Sequence, residues 1–317
     1  MLYRRIVEGG RGALVRALLR VSFKSKTVLP PFTGRVVKSF MMGARCLETP
    51  RSLYKLKSNP RPVSVSPLYR LGPPGRGAPI YATGKREVGR LVAVPGEDLY
   101  ALVTYYDNSE GGHDQAGRGT LWCDEELSIG GARVHVYTES ISIVDLRRLD
   151  AGRGPFRLSF ESPILLPTKL MTPPFVATRR LARSARSAYR LLPTPGYVLS
   201  YAAALWASLV EGFSPLETPI HYAIGRLADV LVAELDYRVR PVTVAYGRDP
   251  KGNIRKVRGF VGFVVYDVLD PRLEPAVSKL LAFSSYMGLG KSRGAGFGFT
   301  LVESLSGRRW GLAGPLS

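Results

Sequence analysis

Twelve residues near the end of the chain constrain its fold more than any other stretch: Gly288 to Phe299, reading GLGKSRGAGFGF. Its five glycines lack a Cβ and adopt positive φ freely, so the backbone there can make approaches that other residues forbid. Successive N–H groups of such a loop can converge on an anion, and Lys291 and Arg293 add full positive charges. An apolar helical pattern precedes the loop, and the apolar stretch Phe297 to Val302 follows it as a strand. That order excludes a nucleotide-binding P-loop at Gly290-Lys291-Ser292, which needs strand, loop and helix in sequence, and Ser285 stands where the opening glycine belongs. Two readings stay open: a glycine-rich turn between helix and strand, or a contact for a phosphate backbone.

The charge balance bears on that choice. The formal charge is +20 over 317 residues and is spread along the chain rather than confined to a tail. A chain of this kind attracts polyanions, of which nucleic acid is the commonest and an anionic membrane surface the competitor. No apolar run is long enough to span a bilayer, so no membrane partner is expected. The length accommodates about two domains, each able to bury a core. The first twenty-six residues are basic, with Glu8 the only acid, which resembles a targeting peptide. The preferred reading of Ala13 to Phe23 is a first strand. Cys46 and Cys123 are the only cysteines, so no disulfide framework is expected and a reducing cytoplasm is the default. His113, His135 and His221 lack metal-ligand spacing, so neither a metal nor a cofactor is expected. Gln115 is the only glutamine and arginine is abundant, a pattern of thermophilic proteins.

Along the chain, a helix is predicted from Arg35 to about Cys46 with Val36, Val37, Phe40 and Met41 as its buried stripe. Arg51 to Lys57 adds a short basic segment containing Tyr54. The alternation Val63-Ser64-Val65-Ser66 reads as a strand, as do Leu99 to Tyr106 and Arg133 to Ile143. His113 and Asp114 read as solvated turn residues. A second unit begins at Gly152 to Gly154, before strand-like Phe156 to Phe160. Arg179, Arg183, Arg186 and Arg190 then recur at i, i+4, i+7 and i+11, the spacing of a helix with an arginine face. Their mutual repulsion is a cost that a bound phosphate backbone would remove. Tyr201, Leu205, Trp206 and Leu209 belong to a further helix. Val239 to Tyr246 and Ile254 to Val268 form a hairpin. Asp270 and Pro271 suit the start of a helix whose buried face is Leu273, Val277, Leu280, Leu281 and Ser284. The fold class is therefore α+β, with two tandem ferredoxin-like (RRM-like) domains, antiparallel sheets carrying helices on one face, divided as residues 1–150 and 151–317.

Five ordered landmarks carry a family resemblance: FTGRVVKSFMM from Phe32, PVSVSPLYRL from Pro62, FRLSFESPILL from Phe156, RGFVGFVVYDV from Arg258 and YMGLGKSRGAGFGF from Tyr286. Together they make the chain resemble the CRISPR repeat-processing endoribonucleases of the RAMP superfamily. The resemblance implies tandem ferredoxin-like domains and a CRISPR repeat RNA partner. It also implies metal-independent cleavage by attack of a ribose 2′-OH on the adjacent phosphate, leaving 2′,3′-cyclic phosphate and 5′-OH ends. It is compatible with a monomer or a homodimer. The alternative is a non-catalytic RNA-binding subunit of a CRISPR effector complex, with other effector subunits as partners.

Many family members place a histidine shortly before the strand at Val63, and here Tyr54 stands about there. A tyrosine at its reference pKa of about 10 is a poor base at neutral pH. Three readings stay open. Tyr54 acts with a pKa lowered by Lys38, Lys55 or Lys57; or Lys38, Lys57 and Arg61 drive slow cleavage by electrostatic stabilisation, which is the preferred reading; or the protein binds without cutting. The bland reading of Tyr54 is an interfacial aromatic. For RNA binding, the resemblance points to the glycine-rich loop, namely Gly288, Gly290, Lys291, Arg293, Gly294, Gly296, Phe297 and Gly298. The arginine face from Arg179 rests on helical spacing alone. Phe297 and Phe299 suit either base stacking or burial, with burial of at least one preferred.

Overall fold

The computed structural model describes residues 2–83, 91–108, 121–173, 188–213, 220–248, 252–306, 310–311 and 314–315. A short helix, α1 (Leu2–Glu8), precedes β1 (Ala13–Phe23), whose inward residues Val15, Ala17, Leu19 and Val21 are all buried. This alternation is what a strand with one covered face requires. The cover is α2 (Gly34–Gly43), which buries Val36, Val37, Phe40 and Met41 as its periodicity predicts. Then come α3 (Glu48–Lys55), β2 (Val63–Val65), β3 (Asp98–Asp107), β4 (Asp124–Ile129) and β5 (Ala132–Asp145). β1 lies between β3 and β5, antiparallel to both, and β2 and the two-residue strand Tyr69–Arg70 pair with β3.

The second sheet contains β6 (Phe156–Ile164), β8 (Val232–Arg248), β9 (Ile254–Val268) and β10 (Thr300–Ser304), in the spatial order β8-β9-β6-β10. Between β6 and β8 lie β7 (Tyr189–Arg190), α4 (Pro195–Leu209) and α5 (Ile220–Leu231), and α6 (Glu274–Met287) joins β9 to β10. The succession β6-α4-β8-β9-α6-β10 with that strand order is a ferredoxin-like unit. Phe156, Leu158 and Phe160 pack against Val198, Leu199 and Trp206 of α4 and Val277, Leu280 and Leu281 of α6. Ile6 of α1 joins this second core, and Lys279 donates to the carbonyls of Val7 and Gly9 at 2.8 and 3.0 Å. The first helix of the chain therefore straps onto the later domain.

Three expectations are corrected. Cys46 and Cys123 form a disulfide across 77 residues, a pairing that two isolated cysteines in a sequence do not disclose. The helix expected at Asp270 starts at Glu274, because Asp270 closes a turn onto the Arg272 N–H at 3.0 Å. The arginine helix does not extend to Arg190. That residue is in β7, paired with Leu166, and Leu192 just beyond it is 61% exposed. Arg179, Arg183 and Arg186 lie outside the described residues, as do His113 and Asp114.

The disulfide and Glu125 on β4, which accepts the N–H groups of Arg45 and Cys46 at 3.0 and 2.9 Å, tie the α2–α3 connection to the first sheet. Closing a loop of this length is worth about 4 kcal/mol in unfolded-chain entropy. The double variant Cys46→Ala/Cys123→Ala is expected to show a lower urea midpoint than the oxidised protein by a corresponding amount. A midpoint unchanged by both reductant and mutation would show that the bond contributes nothing.

Candidate functional site

The glycine-rich loop is a seam between the domains. Gly288 ends α6 at φ +77°, with its N–H returning to Ser284. A Cβ at Gly34, the first residue of α2, would lie 2.4 Å from the Ala295 carbonyl and 2.7 Å from Gly296 Cα. One at Gly290 would lie 2.8 Å from the backbone of Leu165, and one at Gly298 2.0 Å from the Leu289 carbonyl. Backbone meets backbone at each point, which only glycine permits. Of the loop's N–H groups, Leu289 donates to Gly298, Lys291 to Leu165, Gly296 to Arg293 and Gly298 to Pro163, at 2.7–3.1 Å. Those donors are spent within the protein and do not face an anion.

Two members of the predicted RNA-binding set turn inward. Arg293 is 5% exposed; its guanidinium donates to the carbonyl of Met287 at 2.7 Å and to that of Arg61, in the other domain, at 3.0 Å. The carbonyls at the end of α6 need donors, and a buried arginine supplies several at once. Phe297 is 1% exposed and stacks on Phe32 with ring centroids 4.1 Å apart, which leaves no face for a base. Phe299 is buried against Tyr69. Gly288, Gly290, Gly296 and Gly298 are buried too, whereas Lys291 and Gly294 remain partly accessible.

Arg16 on β1 crosses the seam in the opposite direction. It donates to the Ser285 carbonyl and to Thr104 Oγ1, and lies 3.9 Å from the Tyr286 ring centroid. Burial holds its guanidinium down to about 10, still charged at neutral pH. The two arginines link the domains through charge-assisted bonds, stronger than neutral ones.

The seam opens into a cleft of about 550 Å³, bordered by Tyr54, Lys57, Arg61, Tyr201, Lys291 and Gly294 among others. Among the described residues no Asp, Glu, His or Cys lines it. Half-buried Tyr54, in the last turn of α3, is flanked by two cations: Lys38 Nζ lies 4.8 Å and Arg61 Cζ 4.4 Å from its ring centroid. Gly294 completes the enclosure, since a Cβ there would lie 2.6 Å from Tyr54 Cε2. Lys38 from α2, Tyr54 from α3 and Arg61 from the approach to β2 are thus brought together. Lys57, exposed, borders the same cleft. Lys291 is partly desolvated, and burial, then the nearby Lys169, lower its ammonium pKa. Tyr201, placed by its spacing only on a helix, borders the cleft and donates its hydroxyl to the Gly290 carbonyl. Its i, i+4 spacing to Leu205 gave no sign of that second role.

Fold and site together define a tandem ferredoxin-like protein with a cationic cleft at its domain seam. Residues 15–144 match the model of the Cas6 N-terminal domain, and residues 158–300 match that of the CRISPR-associated endoribonuclease Cas6. CRISPR-associated endoribonuclease Cas6 2 of Saccharolobus solfataricus is 29% identical over 87% of this chain and 91% of its own. Cas6 1 of that organism is 33% identical over 54% of this chain and 60% of its own. Among solved structures, a Cas6 product complex superposes with a TM-score of 0.57 at 15% identity, covering 91% of this chain and 99% of that one. Thermus thermophilus Cas6 gives 0.54 at 13%, covering 93% and 100%. The chain belongs to the Cas6 family of CRISPR-associated endoribonucleases.

Proposed function

We propose that this protein binds CRISPR repeat RNA across the cleft and cleaves it without metal, by attack of the ribose 2′-oxygen on the adjacent phosphorus. The P–O2′ bond forms and the P–O5′ bond breaks, leaving a 2′,3′-cyclic phosphate and a 5′-OH. One observation carries the reading: a cleft with no acid among its described lining residues, bordered by Tyr54 and Arg61, in which both Lys38 and Arg61 lie against the Tyr54 ring. Fixed cations in a partly desolvated site favour the dianionic phosphorane over the monoanionic phosphodiester, which lowers the barrier. Lys38 and Arg61 supply that field, and Tyr54 sets the spacing between them. The lysine ammonium at position 57 protonates the departing 5′-oxygen, and the 2′-hydroxyl proton leaves to water. Lys291 and the accessible face of Gly294 meet the RNA backbone, and Arg293 acts as a positioning residue by holding the Arg61 carbonyl.

Labelled repeat RNA incubated with protein in excess EDTA should yield a 3′ end that polynucleotide kinase phosphatase activity, but not simple phosphomonoesterase, can open. A 2′-deoxy substitution at the scissile nucleotide should leave binding intact and abolish the product. Cleavage of the deoxy substrate would exclude the chemistry, and tight binding with no product from unmodified RNA would assign a non-catalytic RNA-binding subunit.

A further inference from the structure

Beside Lys291 lies a second arrangement of cations and aromatic rings that the cleavage chemistry does not use. It is built where the turn Thr168–Met171, β7 and the start of α4 meet. Tyr197 donates its hydroxyl to the Thr168 carbonyl at 3.4 Å and accepts from the Arg190 guanidinium at 2.9 Å. The same guanidinium lies 4.7 Å from the Tyr197 ring centroid, and Lys291 Nζ lies 5.8 Å from that of Tyr189. Both rings are half-buried, whereas Lys169 and Arg190 are exposed. Lys169 is close enough to help lower the Lys291 ammonium. Among the described residues no carboxylate pairs with Lys169, Arg190 or Lys291. Like charges held close without a counter-charge cost energy that a polyanion would relieve.

We propose that Lys169, Tyr189, Arg190, Tyr197 and Lys291 seat unpaired nucleotides adjoining the scissile linkage, with phosphates on the cations and base faces on the tyrosine rings. The inference rests on the RNA-binding reading above and adds to it the substrate form at this side of the cleft. Paired bases hide their faces within the helix, whereas a single strand offers them to aromatic side chains. A ring fixed at its hydroxyl, as Tyr197 is, and two rings each contacted by a cation suit the second kind of ligand.

The test is a binding titration at fixed salt with 2′-deoxy-blocked repeat RNA in three forms: intact, abasic over the nucleotides flanking the scissile linkage, and annealed there to a complementary strand. The intact protein is expected to bind the abasic and annealed forms about ten-fold more weakly. Tyr197→Ala should lose about the same factor on intact RNA and little on the abasic form, and Tyr197→Phe should retain most of the affinity. Lys169→Glu, an exposed substitution that leaves the core untouched, should weaken all three. Equal affinity for intact and annealed RNA, or no effect of Tyr197→Ala and Lys169→Glu while repeat cleavage persists, would overturn this patch alone. Failure of the intact protein to bind any form would overturn the RNA-binding reading and the patch with it.

Discussion

Removing both cations that flank Tyr54, as Lys38→Ala with Arg61→Ala, is expected to slow single-turnover cleavage by roughly 10³-fold or more. In the proposed mechanism each of these cations faces the negative charge that grows in the phosphorane, and losing one such preorganised group elsewhere costs about 10²–10³ in rate. Their ground-state contributions are smaller. A cation over a partly exposed ring is worth about 0.5–1 kcal/mol, so the melting temperature should move little. Each lost phosphate contact should reduce the slope of log affinity against log salt by about 0.7 on single-stranded RNA. Rate measured at saturating protein separates the two effects. A rate within a few-fold of the original at saturation would remove Lys38 and Arg61 from the reaction. Tyr54→Phe distinguishes the remaining readings: it keeps the ring between the cations, so a rate that survives places the work on the cations, and a lost rate places it on the hydroxyl.

The second large effect concerns two glycines at opposite ends of one helix. Gly34 and Gly43 bound α2, and alanine is favoured over glycine in helices by up to about 1 kcal/mol. At Gly43 nothing lies within 4 Å of an added Cβ, so Gly43→Ala should be neutral or slightly stabilising. At Gly34 the added carbon would meet the Ala295 carbonyl at 2.4 Å and Gly296 Cα at 2.7 Å. These are backbone atoms of the other domain, which cannot rotate away as a side chain can. Overpacking of this kind costs about 1–3 kcal/mol, and part of it will be relieved by opening the seam. Gly34→Ala should therefore lower the melting temperature and, by moving Gly294 off Tyr54, reduce cleavage as well. Equal stabilities for the two variants would show that the domains do not meet backbone to backbone at this point.

Much of the architecture was legible in the chain because each domain obeys local rules. β1 is signalled by apolar residues interspersed with arginines from Ala13 to Phe23, and α2 by Val36, Val37, Phe40 and Met41. The helix leading into the glycine-rich loop was misplaced at its start, since Asp270 has equally good local use as a turn cap. The arginine periodicity misled for a related reason. Spacing of four and three is necessary for a helical face but not sufficient, and the pairing of Arg190 with Leu166 depends on a strand segment more than twenty residues earlier. The site was half legible. Tyr54, Lys38 and Arg61 were named as a basic segment, but that they share one ring is a product of α2, α3 and the approach to β2 packing together.

Lys291 and Arg293 show where the boundary falls. They are two residues apart in the same glycine-rich motif and equally cationic, and composition gives no ground for treating them differently. The sequence by itself determined that this loop needs backbone freedom, for positive φ or for close approach, because five of its twelve residues lack a side chain, and that the chain is basic enough to hold a polyanion. Only the tertiary structure decided what does the approaching: α2 of the first domain meets the loop, carbonyls of Met287 and Arg61 converge on one guanidinium, and the other cation is left at the cleft. The physical reason is that a buried carbonyl must find a donor. Which donor it finds depends on groups more than two hundred residues apart, whose meeting no local pattern records.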